Sequence, residues 1–256
     1  MLTPTQLQRY LARLGVSPRS SLAELQLAHL YALPFENLDI TFKRPIVLSH
    51  EAILAKLLDE HRGGFCYELN YGFYCLLLSL GFEASLVQAR VFNPSGAPGT
   101  DFDHLLLKVK EGSKTLLADV GFGDSFLAPL TLATGEQQDR AGVFTLTAQQ
   151  EKWLMQREGK AELLIDPTPR QLQAFQAMAD WHQSAEASPF TRKSICSKAT
   201  ATGRISLSDN TLLVTKDKTR QQWPISNESQ YRQLLAEHFG ITLPFADIAQ
   251  WLAKCH

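Results

Sequence analysis

Residues 62–70 read Arg62-Gly63-Gly64-Phe65-Cys66-Tyr67-Glu68-Leu69-Asn70, two glycines that lead into a cysteine and then into helix-forming residues. The glycines take the backbone through a tight turn and deliver Cys66 to the start of a helix that runs to Leu80 and stops at Gly81. At a helix start, unpaired N–H groups and the positive end of the dipole favour thiolate over thiol, and the thiolate is the nucleophile. The same N–H groups suit a developing oxyanion. A free cysteine is also a common small core residue, so the segment needs partners before it signifies catalysis.

Upstream of this stretch the chain reads as helices with marked ends. Thr3 caps a helix with Pro4 at its first position and Gln6 as reciprocal cap, and Leu7, Leu11 and Leu14 form its apolar stripe. Ser21 with Glu24 opens a second helix that must stop near Pro34, and Ser49 opens a third before Gly63. Together these predict a helical bundle over residues 1–82. From Ala84 the apolar period changes to two, with short runs at SLVQARV, HLLLKVK, TLLADVG, VFTLTA, KWLMQR and AELLID. That pattern predicts an antiparallel barrel or sandwich. A helix is expected after Pro167, then strands at KSICSKA, ISLSD and TLLVTKD, and helices near 228–239 and 245–254. The fold class is therefore α+β, in three modules: 1–82, 83–185 and 186–256.

His104 and Asp119 sit on two consecutive predicted strands joined through Glu111-Gly112-Ser113-Lys114. If Lys110 faces Thr115, Asp119 lies opposite Leu106 and His104 is one pleat further on. The two side chains then share a face as diagonal neighbours, roughly 7–8 Å apart at the backbone. A cysteine nucleophile needs a base, and the base needs a third group to fix its tautomer, so Cys66, His104 and Asp119 form a complete set. Taken singly, His104 reads equally as a partly buried sheet histidine and Asp119 as a cap on the Gly121-Phe122-Gly123 turn.

Composition narrows the partners. Lys and Arg number 25 against 26 Asp and Glu, a formal charge of -1, which offers no electrostatic footprint for nucleic acid and no polybasic patch for membrane. No apolar stretch approaches the roughly 20 residues that span a bilayer, so a cytoplasmic protein is expected. Cys66, Cys75, Cys196 and Cys255 form no CxxC, and the seven histidines fall at no ligand spacing, which predicts neither a disulfide framework nor a metal site.

With RGGFCYELN around Cys66, LPFENLD over 33–39, His104 after a Gly- and Thr-containing loop, and ADVGFG over 118–123, the chain resembles the arylamine N-acetyltransferase family, in its bacterial form. The resemblance runs the length of the chain and is strongest over 30–130. It implies a helical bundle, a β-barrel and an α/β lid around a catalytic core of the cysteine-protease or transglutaminase type. It implies acetyl transfer from acetyl-CoA to arylamines, arylhydrazines or N-hydroxyarylamines by a ping-pong route through acetyl-Cys66, with no metal. By the same resemblance Phe35, Phe122 and Phe190 line the acceptor pocket, and Thr100 and Gly123 lie near the CoA path. Arg62 is expected to pair with Glu36 or Asp39 as a structural tie. Tyr71 departs from relatives, which carry a small residue there, and so bears on pocket shape. The assembly is expected to be a monomer or homodimer. A thiol hydrolase, an amide synthase on the same scaffold and a non-catalytic binding module are the rival readings.

Overall fold

The polar caps that mark helix starts in the sequence are formed in the computed structural model, which describes residues 1–217 and 219–253. In α1 (Pro4–Leu14) the Thr3 hydroxyl accepts from the Gln6 N–H, and Gln6 Oε1 accepts from the Thr3 N–H. Ser21 and Glu24 repeat this for α2 (Leu22–Ala32). Pro34 ends that run, and the chain passes through a short strand β1 (Phe35–Glu36) into a one-turn helix α3 (Leu38–Thr41). Ser49 caps α4 (His50–Leu54), which widens into a π turn over 55–59. Then comes α5 (Cys66–Ser79), whose side chains are buried on most sides by Tyr10, Leu25, Leu57 and their neighbours.

The period-two region folds as β2 (Glu83–Val91), β3 (His104–Glu111), β4 (Lys114–Ala118), β5 (Leu130–Thr131), β6 (Gly135–Asp139), β7 (Gly142–Gln149), β8 (Lys152–Arg157) and β9 (Lys160–Arg170). They form one eight-stranded sheet in the order β5-β4-β3-β2-β9-β8-β7-β6, with neighbours antiparallel. Its two edge strands are neighbours in the chain. Across the seam the Gln137 amide binds both backbone groups of Thr131, accepting from its N–H at 2.7 Å and donating to its carbonyl at 2.8 Å. The sheet is thus a nearly closed barrel whose unpaired edges are bridged by a side chain. Val87, Leu106, Phe144 and Leu163 are among the residues that fill its interior.

Beyond the barrel lie α6 (Gln176–Ser184) and α7 (Pro189–Arg192), then β10 (Ile195–Thr200), β11 (Gly203–Ser208), β12 (Thr211–Lys216) and β13 (Thr219–Pro224), then α8 (Glu228–Leu234) and α9 (Ile248–Leu252). The second sheet runs β1-β10-β11-β12-β13, so its edge comes from the N-terminal module: Phe35 pairs with Ser197 and Glu36 with Cys196. Two details differ from expectation. The strand AELLID continues through Pro167 to Arg170, because proline fits extended backbone and the register is already shifted there; helix begins only after it, with a 3-10 turn at 172–175. Through Leu172, Phe175 and Ala179, that turn and α6 join the apolar cluster that the helices share with one face of β2, β3 and β4. Cys255 and the last residue of the expected terminal helix, Lys254, lie outside the described residues. Among those described, no helix is long and apolar enough to cross a membrane.

Candidate active site

Gly63 and Gly64 do not adopt left-handed backbone; their role is close approach. A Cβ on Gly63 would overlap the Pro34 carbonyl, so this glycine lets the 62–65 loop lie against the segment that contains β1. Glu36 N–H donates to the Gly64 carbonyl at 2.9 Å, which fixes the two segments together. Glu68 reaches back to accept from the Phe65 N–H at 3.1 Å and so closes the start of α5. Cys66 is therefore the first residue of a well-anchored helix, 3% exposed, with its side chain on a cavity wall.

The strand register that positions the other two residues is the one read from the turn. Lys110 pairs with Thr115 and Leu107 with Ala118. His104 Nε2 and Asp119 Oδ2 lie 2.6 Å apart, with both side chains almost fully buried. With Nε2 committed to Asp119, Nδ1 is the ring nitrogen left for the neighbouring Cys66 sulfur. Burial alone would lower the His104 pKa; the Asp119 carboxylate, with the Cys66 sulfur adding to it, outweighs burial and pushes the pKa up to about 10. The ring is packed edge-on against Phe122, with centroids 5.2 Å apart.

Asp119 is itself held from three directions. Its Oδ1 accepts from Asn70 Nδ2 at 2.9 Å and from the Gly121 N–H at 2.8 Å, and its own N–H donates to Gln26 Oε1 at 3.3 Å. Asn70 spends its remaining groups on the Leu105 carbonyl and the Val120 N–H, so every polar group of its side chain is satisfied. Gly121 permits this closeness: a Cβ there would stand 2.8 Å from Cys66 Cα.

Cys66 and His104 open on a cavity of about 360 Å³ whose walls include Phe35, Phe122, Phe190, Val91 and Ile195. A buried nucleophile–imidazole–carboxylate relay beside an apolar cavity is an arrangement suited to acyl transfer through sulfur. A family model described as N-acetyltransferase matches residues 20–248, most of the chain. The chain is 28% identical to arylamine N-acetyltransferase 2 of Mus musculus over 273 residues, covering 93% of this chain and 94% of the mouse protein. The chain belongs to the arylamine N-acetyltransferase family.

Solved members of this acyltransferase family share the whole architecture. The enzyme from Salmonella typhimurium superposes with a TM-score of 0.89 at 27% identity, over 99% of this chain and 98% of the other. The arylamine N-acetyltransferase from Mycobacterium marinum, whose structure contains CoA, gives 0.87 at 25% identity over 97% and 98%. Among the described residues no group of His, Cys, Asp and Glu could hold a metal ion.

The residues singled out by sequence fall into three sets. Phe35, Phe122 and Phe190 gather on the cavity with Cys66 and His104. Thr100 and Gly123 are not on its walls: Thr100 touches Met178 with its hydroxyl, and Gly123 packs behind Phe35. Tyr71 also lies elsewhere, against His50 and Tyr74, and so does not shape the cavity.

Arg62 binds both acids it was expected to choose between. Its Nε and Nη2 hold Glu36 at 3.0 and 2.9 Å, and its Nη1 holds Asp39 at 3.0 Å. Sequence reading missed two further members of this cluster. Lys56 Nζ reaches Asp39 at 2.7 Å and Glu68 at 2.8 Å. Three acids thus face two bases in a sealed space. Burial, with Glu36 and Asp39 nearby and only partly offset by Lys56, pushes Glu68 up to about 7. Burial would raise Asp39 too, but Lys56 and Arg62 hold it below its usual range. Asn70 was also missed, although it stands four residues after Cys66, on the same helical face. Gln26 carries no local signal, since only the fold brings it to Asp119.

Proposed function

We propose that Cys66 is the acetyl carrier in transfer from acetyl-CoA to the nitrogen of arylamines, arylhydrazines or N-hydroxyarylamines. The observation that carries this reading is the Cys66–His104–Asp119 relay opening on an aromatic-walled cavity. The Cys66 proton passes to His104, and Asp119 supports the imidazolium and fixes its orientation. The thiolate attacks the acetyl carbonyl of the thioester, with N–H groups at the start of α5 suited to the oxyanion. The C–S bond to CoA breaks, and His104 returns its proton to the departing CoA sulfur. An amine then attacks acetyl-Cys66, His104 takes the amine proton, and the amide leaves as the Cys66 sulfur regains a proton. Double displacement of this kind gives ping-pong kinetics. The core is then of the cysteine-protease and transglutaminase type, adapted to transfer.

The acceptor class follows from protonation and shape. An alkyl amine with a pKa near 10.4 has well under about 1% free base at neutral pH. Arylamines stay neutral, and their rings match Phe35, Phe122 and Phe190. Burying about 100 Å² of ring contributes about 2.5 kcal/mol before ordering costs. Apolar walls also disfavour water at the acyl-enzyme. For the donor, a second depression shares Phe122 with the first and is flanked by Arg157 and Lys160. Those cations suit the phosphates of CoA, with Thr100 and Gly123 along the path as family resemblance implies.

Intact mass after mixing with acetyl-CoA alone should show one added acetyl group, absent in Cys66→Ala. An adduct that persists in the variant removes Cys66 as carrier. Release of free acetate without amine would favour the thiol hydrolase, and inertness toward every simple arylamine would favour an amide synthase.

A further inference from the structure

One polar wall of the cavity beside Cys66 has no role in the transfer steps above. The lining includes Asp103, whose side chain is 18% exposed among largely apolar neighbours. Its Oδ2 accepts from the Val91 N–H at 3.3 Å, and Oδ1 lies 3.2 Å from His182 Nε2. His182 is buried, with its ring caged by Tyr67, Trp181 and Phe190 at centroid distances of 6.2, 5.2 and 4.9 Å. The Ser188 hydroxyl donates its one hydrogen to the His182 carbonyl at 2.9 Å. His182 Nδ1, 3.4 Å from that oxygen, is therefore the donor of the pair. Nε2 faces Asp103 off the hydrogen-bond axis and has no aligned partner. The ring therefore fills the space behind the carboxylate without a hydrogen bond to it, and Asp103 borders the cavity with Oδ1 free of any aligned donor from His182.

The backbone that aims Asp103 is held in an unfavourable conformation. Phe102 has a φ of 65°, in the left-handed region that bulky residues avoid. Tyr67 Oη donates to its carbonyl at 2.8 Å, its N–H donates to Gln88 Oε1 at 3.0 Å, and its ring packs edge-on to Phe175 at 5.3 Å. Strain persists only where surroundings over-determine it, and here it fixes the residue that immediately precedes His104.

We propose that Asp103 selects arylamine acceptors that carry a second, hydrogen-bond-donating and preferably cationic group. This deepens the acetyl-transfer reading and rests on it. An acceptor that fills the cavity strips water from the carboxylate. A donor group on the ring restores a charge-assisted hydrogen bond, an apolar group leaves the charge unpaired, and an anionic group adds repulsion. Lys193 also borders the cavity, but it is exposed and its charge is screened by water.

The test compares kcat/KM for para-aminomethylaniline, para-methylaniline and para-aminobenzoate, with their meta isomers, in the full chain and in Asp103→Asn and Asp103→Ala. The alkyl amine stays protonated at neutral pH and serves as the cation. At one ring position the unsubstituted-sequence protein should favour the aminomethyl over the methyl compound by about 10-fold or more, and the carboxylate should rank last. Both variants should bring the cation-to-anion ratio toward one, and a ratio taken within one variant cancels any general loss of turnover. Flat ratios at both ring positions, or ratios unchanged in the variants, overturn the proposal. So does a preference for the carboxylate, which would assign selection to Lys193. If a variant fails to fold, the ratios of the parent protein still decide. Flat ratios with acetyl-Cys66 formed from acetyl-CoA alone sink this proposal and spare the transfer reading; absence of acetyl-Cys66 with no acceptor turned over sinks both.

Discussion

Helix α5 carries two buried clusters of ionisable groups near its start, and burial serves opposite ends in them. On the barrel side, His104 and Asp119 meet Cys66 at a cavity wall. On the helical side, Lys56 and Arg62 bind Glu36, Asp39 and Glu68, and none of these five lines the cavity that holds Cys66. His104 is 3% exposed and Glu68 2%, so depth of burial does not distinguish them. What differs is whether the perturbed group faces a thiol and open space. A shifted pKa marks a candidate site only when geometry gives the group something to act on. The sealed cluster instead ties β1, the cysteine loop and the start of α5 into one unit.

That contrast can be broken from either side. The largest effect on activity is expected from Asp119→Asn. The new amide would keep bonding to Asn70 and Gly121 through oxygen and turn its NH2 toward His104 Nε2, which forces the wrong tautomer. Turnover should fall by roughly 10⁴-fold, with melting little changed; steady-state rates and a thermal melt check both. Near-normal turnover would remove Asp119 from the relay.

Arg62→Ala attacks the sealed cluster and should show the reverse profile. It leaves Glu36 and Asp39 facing a single cation, and stability should drop by about 3–5 kcal/mol, since one partner of a buried pair is lost. For a chain of this size that is on the order of 10 °C in Tm. Acetyl-Cys66 should still form at low temperature. A variant that melts normally but no longer acylates would make the cluster catalytic.

The smaller effects are in pH dependence, where the clusters occupy different windows. His104 is raised from 6.5 to about 10, so its contribution is fully present below pH 6.5 and is lost as pH rises through 10. Glu68 is raised from 4.5 to about 7, so its contribution is present below pH 4.5 and is lost as pH rises through 7. Melting curves of His104→Gln should therefore flatten only on the alkaline side. Those of Glu68→Gln, which balances the cluster at two acids and two bases, should flatten between about pH 4.5 and 7. Exchange of the two windows, or no change in either variant, would refute the assignment of these shifts.

The parts legible from sequence were those with local signals. Caps at Thr3, Ser21 and Ser49 declare helices because the bonds span three residues. The β3–β4 register follows from a short turn, which is why the His104–Asp119 contact could be worked out in advance. Strands without alternating apolar residues were missed: β6 (GEQQD) and β13 (TRQQWP) are polar because they are sheet edges, and β13 is exposed throughout. β1 was missed because two residues carry no period, and its pairing partner is some 160 positions away.

Sequence by itself determined the placement of Cys66 at a helix start, the pleat that brings an imidazole to a carboxylate, and the membership those motifs imply. Each depends on contacts within a few residues or one turn. Tertiary structure alone decided the rest: that Gln26 and Asn70 brace Asp119, that Lys56 and Glu68 complete the buried cluster, that a strand from the first module edges the last sheet, and that Asp103 and His182 share the cavity beside Cys66. The physical reason is that these contacts join segments with no periodic relation in the chain. Only chain packing, which buries the apolar faces together, sets their distances.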